Sequence, residues 1–448
     1  MFRSIRLFLI LSFLTLSFSS SDAKTVEKRF SVLGLGDSIT EGGKDFNSYL
    51  YPLWERLFMA GYNADFIGPR QSETRIGMIK HYGNSGKPVE FLEERIDSVY
   101  RQYPADIILL HAGHNHFVEQ KPVDGIIRAY ESIVTKILAI NPNAHIFLAQ
   151  VTPSGKLPKY SYIPELNGRI AAFVGDANNK HLHLVDMATG HDYRTMTIHD
   201  MVHPNDLGAE RMADRWLEAI ERVFKPHRKA FRPEKITYRE LSDGTKLDMH
   251  VFRAKKKKHN PVITYFFAGG WKYGSPLQFY RECEWHSSHG YTAISVDYRI
   301  SSMHGTTAKD ATADGIAAIE YIRKNADELG IDTSRIIVAG ASAGATIAGK
   351  IPDRQVSARM LYYPVVDSLS TDVDAITKPT LFMIGTKDSF TDISKARNFI
   401  SHLQSNTTPL TYYIYEGLGH PLFRYREPLT DVFYTIRRRT DAFLRNNK

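Results

Sequence analysis

The sequence predicts a two-domain α/β protein, and three observations carry that prediction. The chain has 448 residues, more than one hydrophobic core usually organises and enough for about two domains of 200 residues each. Short apolar strands alternate with amphipathic helical stretches in both halves, and between them Lys225 to Glu234 combines two prolines and four basic residues with little apolar periodicity. Each half also sets a serine pentapeptide directly after a strand: Gly36-Asp37-Ser38-Ile39-Thr40 in the first and Gly340-Ala341-Ser342-Ala343-Gly344 in the second. The boundaries that follow are an amino-terminal segment 1–23, a first domain 24–224, a linker 225–234 and a second domain 235–448. The serine lies near the start of one domain and deep inside the other, so duplication of a single unit does not explain the chain.

Arg3 and Arg6 precede an apolar run from Leu7 to Phe18, and Ser21-Asp22-Ala23 follows, giving the three parts of a secretory signal peptide cleaved after Ala23. A secreted or periplasmic protein is expected. The run is too short for a membrane span, and the junction has no cysteine for a lipoprotein anchor. Cys283 is the only cysteine, which excludes an internal disulfide and a thiolate metal cluster. Losing Arg3, Arg6 and Asp22 lowers the formal charge from +8 to +7. The basic residues are scattered, and the one dense run, Lys255 to Lys258, reads as a solvated hairpin loop between two strands, so no nucleic-acid partner is expected. Asn406-Thr407-Thr408 fits the glycosylation acceptor pattern.

In the first domain Phe30–Gly36, Ile107–Leu110, Ala144–Val151 and Leu182–Val185 read as buried strands of a parallel sheet, with helical periods between them. Such a sheet carries function on the loops after its strands, and the chemistry-bearing residues fall there. Ser38 follows the first strand, Gly86 lies in the loop His81 to Gly86, Asn115 follows the strand ending near Leu110, and Asp200 and His203 share one late loop. Ser38 is a weak nucleophile until a base takes its proton; His203 can do so, and Asp200 can fix the imidazole tautomer. Order and spacing resemble the SGNH, or GDSL, hydrolases over residues 30–224. Ser48-Tyr49-Leu50-Tyr51-Pro52-Leu53-Trp54, Gly61-Tyr62 and Asp65-Phe66-Ile67-Gly68 look most like that superfamily's family 3 carbohydrate esterases, which are acetyl xylan esterases. The resemblance implies a flavodoxin-like fold and an oxyanion hole made by the backbone N–H groups of Ser38 and Gly86 and the Asn115 amide. One departure is visible: the family's Gly-x-Asn-Asp block here reads Gly113-His114-Asn115-His116. His111, His114 and His116 are either metal ligands or, the simpler reading, exposed or substrate-facing imidazoles.

The second domain opens with strand-like Lys235–Leu241 and Leu247–Phe252, and Val262–Phe267 runs into Ala268-Gly269-Gly270-Trp271. Ala293–Val296, a helix over 310–325 and Arg335–Ala339 lead to the second serine motif, giving strand, sharp turn and helix. Asp388 follows the strand Thr380–Ile384, and His420 lies in Gly419-His420-Pro421. The order Ser342, Asp388, His420 is that of an α/β-hydrolase, and residues 235–445 resemble esterases of the hormone-sensitive-lipase-like and feruloyl or acetyl esterase group. In that reading Ser342 attacks, His420 is the base and Asp388 orients it, while N–H groups of Ala343, Gly269 and Gly270 receive the oxyanion. The group's His-Gly-Gly-Gly is replaced by Phe267-Ala268-Gly269-Gly270, which narrows the backbone freedom at Ala268. The short segment between Asp367 and Lys378 leaves little chain for a hydrophobic lid, so a shallow, open site is expected.

The expected function is an exported bifunctional carbohydrate esterase acting on acetylated polysaccharide or oligosaccharide, without metal or cofactor and without membrane insertion. The alternative is one active esterase domain whose partner serves as a carbohydrate-binding or silent module. A lipase would need longer apolar segments near the second serine, and the sequence has none.

Overall fold

The computed structural model describes residues 29–255, 259–370, 372–422 and 430–447, so the signal-peptide pattern and Lys256 to Lys258 lie outside the described residues. Two sheets organise the chain, one in each half, and both are mostly parallel with helices around them. The first contains β1 (Phe30–Gly36), β2 (Ala64–Phe66), β3 (Arg70–Thr74), β4 (Gly77–Gly83), β5 (Ile107–His111), β6 (His145–Ala149) and β7 (Leu182–Val185), in the order β3-β4-β1-β5-β6-β7 with β2 against β1. Strand β5, Ile-Ile-Leu-Leu-His, is buried at every position, as a strand covered on both faces requires. Strand order reverses at β1, which lies between β4 and β5, and Ser38 follows its carboxyl end, where such sheets open a crevice.

The antiparallel hairpin β3–β4 was not legible as strands in the sequence. Arg-Gln-Ser-Glu-Thr is a polar edge strand with no apolar alternation, yet it pairs with β4 from Arg70↔His81 to Thr74↔Gly77.

The second sheet runs β15-β14-β13-β12-β10-β11-β9-β8, with β8 (Glu234–Glu240), β9 (Lys246–Phe252), β10 (Asn260–Phe266), β11 (Thr292–Val296), β12 (Ile331–Ala341), β13 (Ala358–Tyr362), β14 (Thr380–Lys387) and β15 (Leu410–Gly419). Among the described strands of this sheet β9 alone runs against the direction of the rest, antiparallel to both β8 and β11. The expected hairpin around Lys255 is a correction: β9 and β10 do not pair, because β11 lies between them, and the connection crosses over. β10 pairs directly with β12, Phe266 opposite Gly340, so the glycine loop after β10 and the serine after β12 emerge side by side.

The stretch before β8 is not a free tether. Phe231 N–H donates to Met59 C=O at 2.8 Å, and the Arg228 guanidinium lies 3.5 Å from the Phe231 ring centroid. Phe231 in turn meets Tyr280 of the second domain edge-on at 5.3 Å, and one apolar cluster runs through Trp54, Phe58, Phe231, Phe252 and Tyr280. Burying aromatic faces from both halves in one cluster holds the domains together.

Candidate active sites

Ser38 opens a short helix, Ser38–Glu41, whose first turn is capped by Asp37: its Oδ1 accepts the Ile39 N–H at 3.0 Å. Ser38 Oγ and His203 Nε2 are 2.8 Å apart, and His203 Nδ1 donates to Asp200 Oδ2 at 2.5 Å. The other Asp200 oxygen accepts the backbone N–H groups of Val202 and His203 at 2.9 and 3.0 Å. Burial alone would raise the Asp200 carboxyl, but the hydrogen bonds from His203 and these amides outweigh it and hold it below its ordinary range. Phe46 stacks on the His203 ring with centroids 4.2 Å apart.

Gly86 and Asn115 lie on loops tied to the Ser38 segment and to each other. Asn84 N–H donates to Gly36 C=O at 2.9 Å, and Ser85 N–H donates to Glu41 at 2.7 Å, which fastens the loop carrying Gly86 to the helix of Ser38. The Asn115 amide donates to Lys87 C=O at 3.2 Å, tying the third block to the same loop. Glu41, paired with Arg70 on the hairpin, went unnoticed in the sequence although it lies three residues after the serine.

His111, His114 and His116 are buried, which corrects the expectation of exposed imidazoles. His114 Nε2 donates to Thr152 C=O at 3.1 Å, His116 Nε2 meets Glu90 at 2.9 Å, and all three rings are buried. Glu90 therefore stands against His116 where the family's aspartate is missing, and that hydrogen bond holds the Glu90 carboxyl below its usual range. Among the described residues no group of three His, Cys, Asp or Glu is arranged to hold a metal ion. Behind the serine, burial pushes the Asp37 carboxyl up to about 6, against the opposing pull of the Ile39 N–H and the His203 charge.

In the second domain Ser342 Oγ and His420 Nε2 are 2.7 Å apart, and His420 Nδ1 lies 2.8 and 2.9 Å from the two Asp388 oxygens. The Asp388 side chain has no solvent exposure, and it also accepts the Phe390 and Thr391 N–H groups at 2.8 and 2.9 Å. Ser342 has φ +51° and ψ −117°, a strained conformation forced by the turn from β12 into the helix Ala343–Lys350. The flanking glycines are required by space: a Cβ on Gly340 would lie 2.1 Å from Gly344 O, and one on Gly344 2.0 Å from Phe266 O.

Ala343 is the first residue of that helix, so its N–H faces the end where the helix dipole is positive. The loop after β10 turns through Gly269 at φ +138° and Gly270 at φ +60°, and Gly269 C=O accepts the Lys272 and Tyr273 N–H groups. Two residues that hold it were not foreseen. Gln278 accepts the Ala268 N–H at 2.6 Å, and Arg75, from the first domain, brackets Gly274. Lys272 and Tyr273 reach Glu73 of the same hairpin at 3.2 and 2.7 Å.

Comparison with known proteins follows the same division. Residues 35–211 match the GDSL-like Lipase/Acylhydrolase family. Residues 247–351 match the BD-FAE family, α/β-hydrolase esterases, and the match ends before Asp388 and His420. The GDSL-like match spans Ser38, Gly86, Asn115, Asp200 and His203.

The carboxylesterase NlhH of Mycobacterium tuberculosis is 41% identical over 90 residues, 20% of this chain and 27% of that protein. A multidomain esterase of Ruminococcus flavefaciens is 28% identical over 234 residues, 46% of this chain and 30% of that protein. Esterase 2 of Thermogutta terrifontis, solved after phosphorylation by paraoxon, is 25% identical with a TM-score of 0.44 over 47% of this chain and 93% of its own. The chain spans about a third of the length of the curated relatives it matches.

Proposed function

We propose that the protein is an exported bifunctional carbohydrate esterase that removes acetyl groups, and feruloyl groups where present, from hemicellulose such as acetylated xylan. The observation that carries this reading is the pair of Ser–His–Asp hydrogen-bond chains in one polypeptide, built from separate residues. In each, serine Oγ attacks the acyl carbon while histidine Nε2 takes its proton. The same proton passes to the departing sugar oxygen, and a water activated by the histidine then releases the acid and restores the serine. The developing oxyanion is received by the Ser38 and Gly86 amides and Asn115 in the first domain, and by Ala343, Gly269 and Gly270 in the second. The two esterase-family matches support ester hydrolysis. The choice of carbohydrate rests on the likeness of residues 30–224 to family 3 carbohydrate esterases, and export on the amino-terminal pattern.

The test is acetate release from acetylated xylan and from 4-nitrophenyl acetate by the wild type, Ser38→Ala, Ser342→Ala and the double variant. Each single variant is expected to keep part of the activity and the double variant none. If one single variant matches the double variant on both substrates, only one domain is an esterase for them and the bifunctional reading fails.

A further inference from the structure

Beside the first triad, the two domains enclose a cleft of about 710 Å³, within the range of about 300–1,000 Å³ typical of ligand sites. Phe46, whose ring stacks on His203, lines it from the first domain together with Tyr51, Glu73 and Asp206. Ser302 and Met303 line it from the second domain, on the short helix Ser301–His304. That helix is bonded to the back of the second site's glycine loop: Ser301 N–H donates to Trp271 C=O at 2.8 Å, and Ser302 Oγ to Lys272 C=O at 2.5 Å. The cleft thus begins at Phe46, one stacked ring away from His203, and ends at the helix that backs the glycine loop of the Ser342 side. Met303 stands there 55% exposed, a flexible thioether that adapts to irregular surfaces.

We infer that this cleft is a glycan subsite of the Ser38 site, shared by both domains and suited to a neutral, O-acetylated oligosaccharide. The inference rests on the carbohydrate-esterase reading above. Sugar rings present C–H faces that pack on Phe46, Tyr51 and Met303, and their hydroxyls donate to side-chain oxygens between these faces. Of the four carboxylates in the lining, Glu41, Glu73 and Glu210 are ion-paired with Arg70, Lys272 and Arg56, and the one lining cation, Arg75, is ion-paired with Asp297, so Asp206 tips the local balance negative and a uronic-acid chain meets no lining cation that is not already engaged. The second domain therefore takes part in substrate choice at the first site.

The experiment uses the full chain with Ser342→Ala, so that all hydrolysis comes from Ser38, and compares Met303→Ala and Met303→Lys in that background. Substrates are acetylated xylo-oligosaccharide, acetylated oligogalacturonide and 4-nitrophenyl acetate, the last with no glycan to occupy the cleft. Met303→Ala is expected to raise KM for the xylo-oligosaccharide at least about 5-fold relative to KM for the small ester, with kcat changing little. Met303→Lys is expected to shift the ratio of kcat/KM values toward the anionic chain. Equal changes on all three substrates, or a parent that prefers the oligogalacturonide, overturn the subsite. A parent that cleaves the small ester and neither oligosaccharide removes the carbohydrate reading itself, and the subsite with it.

Discussion

Arg75 of the first domain clasps Gly274 of the second: the Arg75 C=O accepts the Gly274 N–H at 2.8 Å, and its Nε–H donates back to the Gly274 C=O at 2.9 Å. The guanidinium also pairs with Asp297, and its side chain is 15% exposed. Gly274 ends the loop that carries Gly269 and Gly270, so a residue from the other fold fixes where the two proposed oxyanion donors stand. In a Ser38→Ala background, Arg75→Ala should lower kcat of the Ser342 site by about 10- to 100-fold with a smaller change in KM, because misplaced donors cost transition-state stabilisation. Steady-state kinetics on a short chromogenic ester decide it, and an unchanged kcat would mean that the second domain holds the loop alone.

The second triad should be intolerant of any side chain at Gly340. A Cβ there would lie within 2.1 Å of Gly344 O and 2.6 Å of Ala345 N, both backbone atoms that cannot swing away. Gly340→Ala should lower Ser342-dependent kcat by at least about 100-fold, while the Ser38 site keeps its rate and shows that the first domain is intact.

Asp37 gives the first domain a pH signature. Its folded pKa of about 6 lies above the ordinary aspartate value of 3.8, so the folded state binds the proton more tightly than the unfolded state does. The resulting stability is fully present below pH 3.8 and is lost as pH rises through 6, an amount of about 3 kcal/mol. Asn can still cap the helix, so Asp37→Asn should lack this loss. Thermal melts of both proteins at pH 4, 5, 6 and 7 should show the variant gaining on the wild type as pH rises, and a constant difference would refute the assignment.

Asp200 is held below the ordinary carboxyl range, so it should remain an anion across the pH range in which His203 works as a base. In a Ser342→Ala background, Asp200→Asn should reduce kcat by roughly 10³- to 10⁴-fold, since an amide can favour the wrong imidazole tautomer. A loss below tenfold would point to another partner for His203 Nδ1.

How much of this was legible varies with the range of the interaction. Strands such as Ile107–His111 announce themselves as continuous apolar runs, and the serine motifs follow their strands directly. The hairpin Arg70 to Gly83 did not, because its polar edge strand earns its place by backbone pairing rather than apolar alternation. The histidines at 111, 114 and 116 read as metal ligands or as exposed or substrate-facing imidazoles, because polarity alone does not reveal that Thr152 and Glu90 meet them in the interior. Arg75 and Gly274 are 199 residues apart, and no local pattern links them.

That hairpin leaves the Ser38 side at Glu41 and turns at Arg75 against the loop of the Ser342 side. A recombination event that exchanged either domain for a homologue would therefore bring in a new face for the other's catalytic loop. The two halves differ in strand order and in where their serine stands, yet along this seam a side chain changed in one alters the surface on which the other's glycine loop rests.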